Sequence, residues 1–234
     1  KKVFALVLSV VMVMSLTAGL TGCGSSAESK GEVNVYNWGE YIDETLLDEF
    51  TQQTGIKVNY TTYSDNESLY SMLSSGTADY DVIIPSDYMI SRLISEGMLE
   101  KLDFDNIPNY SYIDDAYKGL EYDPDNEYSV AYTWGTVGII YNTTMVDYVP
   151  DSWSVLWDEN LSGQILMFDN SRDALGIALK YLGYSQNTTD EAQIKEAVDL
   201  LIEQRPLVQS YVMDQIFDKL EGGEAAVGPY YAGD

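Results

Sequence analysis

The sequence predicts an α/β protein of two lobes with a cleft between them. Strand, helix and strand patterns alternate within about thirty residues from Val33 onward, the same alternation returns after Gln164, and no Pro/Gly-rich linker separates the two stretches. The expected lobes span residues 32–137 and 138–234 of the 234-residue chain. Ahead of them, residues 1–22 read as a signal peptide and 23–31 as a polar tether.

Val33-Asn34-Val35-Tyr36 alternates as a short strand, and Glu44 to Thr54 carries Leu46, Leu47 and Phe50 at helical spacing before Gly55. Ile56, Val58, Tyr60 and Thr62 form a second alternating strand, completing a βαβ pattern. Asn66 is the expected N-cap of a helix through Met72 and Leu73, and Asp81 to Pro85 reads as a buried strand. A helix from Met89 to Glu96 closes at Gly97, loops run from Asp103 to Ser129, and Thr136 to Tyr141 is strand-like. The second half reads as strand at Gln164 to Phe168, helix at Asp173 to Leu182, and a long helix at Asp190 to Gln204 with apolar face Ile194, Val198, Leu201 and Ile202. Leu207 to Val212 is a strand, Gln215 to Leu220 a helix, and Ala225 to Tyr231 a last strand.

Composition narrows the function. Asp and Glu number 38 against 12 Lys and Arg, a formal charge of −26. So acidic a chain repels phosphate backbones, so nucleic acid is not an expected partner. There is no histidine, which removes His-based triads, His zinc sites and the commonest general base. No metal and no cofactor is expected, and no enzyme activity. The only carboxylate pair that fits a glycoside hydrolase is Glu40 with Asp173. Asp123, Asp125 and Glu127 superficially suit calcium, but Pro124 and the missing turn glycine break that pattern and leave a turn.

The N-terminus suggests an address. Lys1-Lys2, an apolar run from Val3 to Leu16, and Leu20-Thr21-Gly22-Cys23 are arranged as a secretory signal. Leu-Thr-Gly-Cys resembles the bacterial lipobox, which implies that Cys23, the single cysteine, carries lipid and anchors the protein to the membrane on its extracytoplasmic side.

Aromatic residues and carboxylates recur just after predicted strands: Trp38-Gly39-Glu40-Tyr41, Ser86-Asp87-Tyr88, Asp169 to Asp173, and Tyr230-Tyr231-Ala232-Gly233-Asp234. Ligands of open α/β sheets sit at such strand ends. Aromatic faces beside carboxylates suit an organic ammonium, through cation–π contacts worth about 0.5–2 kcal/mol and charged hydrogen bonds.

Val33 to Val58, Tyr80 to Tyr88, Tyr132 to Thr136 and Leu182 to Thr189 together resemble the spermidine/putrescine-binding proteins of bacterial ABC importers, over essentially all of residues 32–234. The resemblance implies a two-lobed periplasmic-binding-protein fold, type II-like, that closes on a polyamine and delivers it to ABC permease subunits. It implies that Trp38, Glu40, Tyr41, Ser86, Tyr88, Asp173 and Tyr231 line the cleft. Trp38, Tyr41, Tyr88 and Tyr231 would sandwich the methylene chain while Glu40 and Asp173 take ammonium groups. Another small cationic or polar solute is the alternative ligand. Gly39 stands where members often carry Ser or Thr, Asn170 where spermidine binders can place a second carboxylate, and Tyr231 in place of a tryptophan. Family members continue beyond this point with a segment that returns to the first lobe, so the sequence is expected to be a fragment lacking that C-terminal part. Asp234 resembles a residue of the putrescine-preferring branch, and with Asp173 it would hold the two ends of a diamine.

Overall fold

The computed structural model describes residues 30–232. The expected signal peptide, Cys23 and Asp234 lie outside them. The described chain forms two compact units, one of residues 30–33 and Asp43–Asn59, the other of Asn34–Ile42 and 60–232.

The smaller unit holds helix α1 (Thr45–Thr54), which stops at Gly55, where φ is 78°. Only glycine adopts that conformation at little cost. The helical spacing of Leu46 and Phe50 is real, yet both side chains are exposed and α1 buries no residue.

The larger unit contains two sheets. Strands β1 (Glu32–Trp38) and β2 (Lys57–Tyr63) enter it from the smaller unit and join β3 (Val82–Ile83) in the order β2-β1-β3. β1 and β3 are parallel, with Val35 opposite Val82 and Tyr36 opposite Ile83. Helices α2 (Asn66–Ser74) and α3 (Asp87–Ser95) supply Leu69, Met89 and Leu93, which bury themselves with Tyr36 and Tyr63 as one core. Tyr36 stacks on Tyr80 at 4.3 Å and meets the edge of Tyr63 at 4.9 Å, the offset and edge-on geometries that aromatic quadrupoles prefer.

Two expectations are corrected in this region. Asp65, not Asn66, caps α2: its carboxylate accepts from Ser68 N at 2.7 Å, whereas Asn66 is fully buried. The strand expected over Asp81 to Pro85 pairs only at Val82 and Ile83, and Val82 is half-exposed because so short a strand is covered on one side only.

The stretch from 103 to 129 is loop with three short 3-10 turns. Its knot is Asp123, whose carboxylate accepts from the backbone N–H of Glu127, Tyr128 and Ser129 and from the Ser129 hydroxyl, at 2.8–3.0 Å. Burial pushes this carboxyl up, but those donors hold it below the ordinary range. Of the three acids that superficially suited calcium, Asp123 is thus taken up by the loop itself, and Glu127 pairs with Lys101.

The second sheet runs β4-β7-β5-β6, from β4 (Val137–Tyr141), β5 (Ile165–Phe168), β6 (Val208–Val212) and β7 (Val227–Tyr231). β5 is parallel to β6 and β7, and β4 is antiparallel to β7. Every residue of β5 is buried, as an apolar run in a parallel sheet should be. Ala174 and Ile177 of α4 (Ser171–Tyr181) and Ile216 and Leu220 of α6 (Ile216–Glu221) complete its core. Between these helices comes α5 (Glu191–Gln204), capped by Asp190. Its inward face departs from the expected one in part: Leu201 packs inward as expected and Ala197 and Gln204 are buried, while Val198 and Ile202 are exposed. The small Ala197 side chain lets α5 pack closely on Ala178 and Leu179 of α4 with Leu200 and Leu201 beside it, and this turns Val198 and Ile202 outward.

Candidate functional site

A cavity of about 490 Å³ opens in the larger unit, and the ends of five strands feed it. Trp38, Glu40 and Tyr41 follow β1, and Ser86, Asp87 and Tyr88 follow β3 at the start of α3. Asn170, Arg172 and Asp173 follow β5, Met213 to Gln215 follow β6, and Tyr230 and Tyr231 end β7. The cavity therefore lies at the carboxyl ends of parallel strands, where side chains converge without blocking ladder hydrogen bonds. It brings together Trp38, Glu40, Tyr41, Ser86, Tyr88, Asp173 and Tyr231, seven of the eight ligand-site residues expected from sequence. The eighth, Asp234, is outside the described residues.

The aromatic wall is built in layers. Trp38 packs on Tyr63 at 4.7 Å and on Tyr41 at 5.9 Å, and the Tyr63 hydroxyl donates to the Ile84 carbonyl at 2.6 Å. The Tyr41 carbonyl accepts from the Tyr132 hydroxyl, and the two rings stack at 6.3 Å. Burial raises the Tyr63 phenol far above its ordinary value, so it remains a neutral donor.

Asn66 organises the opposite corner. Its Nδ2 donates to the Tyr88 hydroxyl at 3.0 Å and its Oδ1 accepts from Ser86 N at 3.2 Å, tying two cavity residues to one buried amide. The Tyr88 hydroxyl in turn donates to Glu67 Oε1 at 3.2 Å. Burial first, then Glu67, pushes that phenol up to about 12. The Ser86 side chain makes no capping bond to α3.

Asn170 caps α4, its Oδ1 accepting from Arg172 N at 3.0 Å and Asp173 N at 3.4 Å. This cap fixes the helical turn that carries Arg172 and Asp173 into the cavity. Asp173 Oδ2 accepts from the Tyr231 hydroxyl at 2.6 Å. Desolvation by burial raises the Asp173 carboxyl above its ordinary value, against the opposing pull of Tyr231 and Arg172 and with further push from Asp87 and Glu67. The Arg172 guanidinium stands 5.2 Å from the centre of the Tyr88 ring and donates to Asn187 at 3.3 Å.

Four carboxylates, Glu40, Asp87, Asp173 and Asp214, thus face one guanidinium in an aromatic-walled cavity. That combination favours a cation with apolar segments between its charges. Sequence reasoning missed Asn66, which it placed in a helix cap, and Asp214. The signal for Asp214 was present, since it follows β6 as the other site residues follow their strands, but Met213-Asp214-Gln215 lacks the neighbouring aromatic that marked the others.

A model of the bacterial extracellular solute-binding protein family matches residues 45–234. The chain is 36% identical over 223 residues to the spermidine/putrescine-binding periplasmic protein of Escherichia coli (strain K12), covering 93% of this chain and 64% of that protein. It is 34% identical over 237 residues to the putrescine-binding periplasmic protein SpuD of Pseudomonas aeruginosa, covering 96% and 64%. Among solved structures it resembles the Tp0655 (TpPotD) lipoprotein of Treponema pallidum, with a TM-score of 0.79 and 32% identity over 86% of this chain and 64% of that one. The chain spans about 64% of the length of these relatives.

Proposed function

Because the chain belongs to the bacterial extracellular solute-binding proteins, we propose that it is the extracytoplasmic receptor of an ABC importer and captures polyamines, putrescine and spermidine, in the cavity at the strand ends. The observation that carries this reading is the cavity's chemistry: Asp173, held by Tyr231 and facing Trp38, Tyr41 and Tyr88 in one enclosure. Trp38, Tyr41, Tyr88 and Tyr231 take the methylene chain, Ser86 contributes a hydroxyl, and Glu40 and Asp173 take ammonium groups. Asp234 belongs to the same reading as a further acceptor. The names of the relatives support a polyamine over other cationic solutes.

The two lobes of this reading are residues 32–137 and 138–234, each built on one of the two sheets; the separate orders β2-β1-β3 and β4-β7-β5-β6 support that division. Delivery goes to permease subunits in the membrane, to which lipid on Cys23 tethers the protein. Cys23→Ala is expected to leave an unlipidated precursor; normal processing and lipid labelling of that variant would refute the anchor.

A thermal-shift panel on the intact protein tests the ligand class. Putrescine and spermidine at about 100 times their dissociation constants should each stabilise by about 2.7 kcal/mol, with calcium and a sugar panel inert. Stabilisation by a sugar or by calcium, with polyamines inert, would overturn the reading.

A further inference from the structure

Tyr230 and Tyr231, consecutive in β7, each hold a different cavity carboxylate. The Tyr231 hydroxyl donates to Asp173 Oδ2 at 2.6 Å, and the Tyr230 hydroxyl donates to Asp214 Oδ1 at 2.7 Å. Tyr230 is itself buried and packs edge-on against Phe217 and Tyr231, so its hydroxyl is fixed. In both acids the second oxygen accepts no hydrogen bond from any described residue. A carboxylate with one oxygen pinned and the other open can accept from a bound donor, because among the described residues none uses that lone pair.

The position of Gly39 adds an independent observation. A Cβ at residue 39 would lie 3.1 Å from Asp214 Oδ2, closer than ordinary van der Waals contact. The missing side chain is therefore what leaves room for the open oxygen of Asp214 beside Trp38 and Glu40 on the cavity wall.

We propose that Asp214 is a further ammonium-binding carboxylate, acting with Glu40 and Asp173 on ligands that carry two or more ammonium groups, and that Gly39 keeps its binding oxygen free. This rests on the polyamine reading above and adds to Glu40 and Asp173 a further carboxylate that takes an ammonium group. Each tyrosine of the β7 pair holds one acid, so two consecutive residues of one strand orient both Asp173 and Asp214.

The test is titration calorimetry of the intact protein with putrescine and with spermidine, together with the melting temperature of each ligand-free variant. Asp214→Asn keeps an acceptor for the Tyr230 hydroxyl and removes only the charge. It should weaken binding of both ligands roughly 10- to 150-fold, the loss of one charge-assisted hydrogen bond, without lowering the melting temperature. Tyr230→Phe, which keeps the charge, should weaken binding far less. Gly39→Ala, which adds only the Cβ that meets Asp214 Oδ2, should weaken binding in the wild-type background and have no further effect in Asp214→Asn. Wild-type affinity in Asp214→Asn, or an equal loss in Tyr230→Phe, would overturn the proposal and leave Asp214 as a prop for Tyr230. A wild-type protein that binds neither polyamine would instead overturn the ligand reading itself, and this proposal with it.

Discussion

Asp173 shows how a cavity carboxylate is set against the stability of its own fold. Its carboxyl is raised, chiefly by burial, so the folded chain holds that proton to a higher pH than the unfolded chain does. A raised acid contributes stability that is complete below its unfolded value and is lost as pH rises through its folded value; at neutral pH the ionised group therefore opposes folding of the ligand-free protein. Asp173→Asn is expected to raise the ligand-free melting temperature while removing the stabilisation that a polyamine brings, which scanning calorimetry measures directly. A drop in the ligand-free melting temperature would contradict this account. Binding a cation requires the ionised form, so affinity should fall on acidification from a pH above the ordinary aspartate range. Tyr231→Phe removes a hydroxyl that stabilises the carboxylate, and the acid-side loss should then begin at still higher pH. A shift in the opposite direction would contradict the assignment.

At the scale of elements, α4 depends on its first turn. Asn170 is buried, with its side-chain oxygen on two backbone N–H groups, so Asn170→Ala should cost about 1 kcal/mol of stability and loosen the turn that positions Asp173. Asn170→Asp keeps the cap and adds a charge that the helix N-terminus favours. Its melting temperature should stay near wild type while spermidine gains on putrescine, as competition calorimetry would read; unchanged selectivity would count against a role for position 170 in ligand choice. The elements themselves were legible in the sequence where a pattern had one reading. The all-apolar run of β5, the alternation of β1 and the capped length of α5 all stand where they were expected. Side-chain direction was less legible. Asp65 and Asn66 are both good caps, and only the packing of Tyr88 against α2 decides that the amide turns inward. Likewise the helical period of α5 allowed either of two neighbouring stripes, and the contact with α4 selected the one centred on Ala197. The cavity-lining residues were legible because strand ends can be read locally, whereas Asp214, which also follows a strand, lacked the neighbouring aromatic that marked the others.

For the molecule as a whole, a formal charge of −26 surrounds a cavity in which four acids face one arginine. The summed field draws polycations toward the site and weakens with ionic strength, while the aromatic wall supplies the part of the affinity that salt does not screen. The proposed capture of polyamines in this cavity turns on the partly buried Asp173. The most direct test is titration calorimetry of the intact wild-type protein and of Asp173→Asn with putrescine and spermidine at neutral pH. One-to-one binding to the wild type is expected, with a loss of roughly 1.5–3 kcal/mol, at least tenfold in affinity, in the variant. Equal affinity in the two proteins would contradict it.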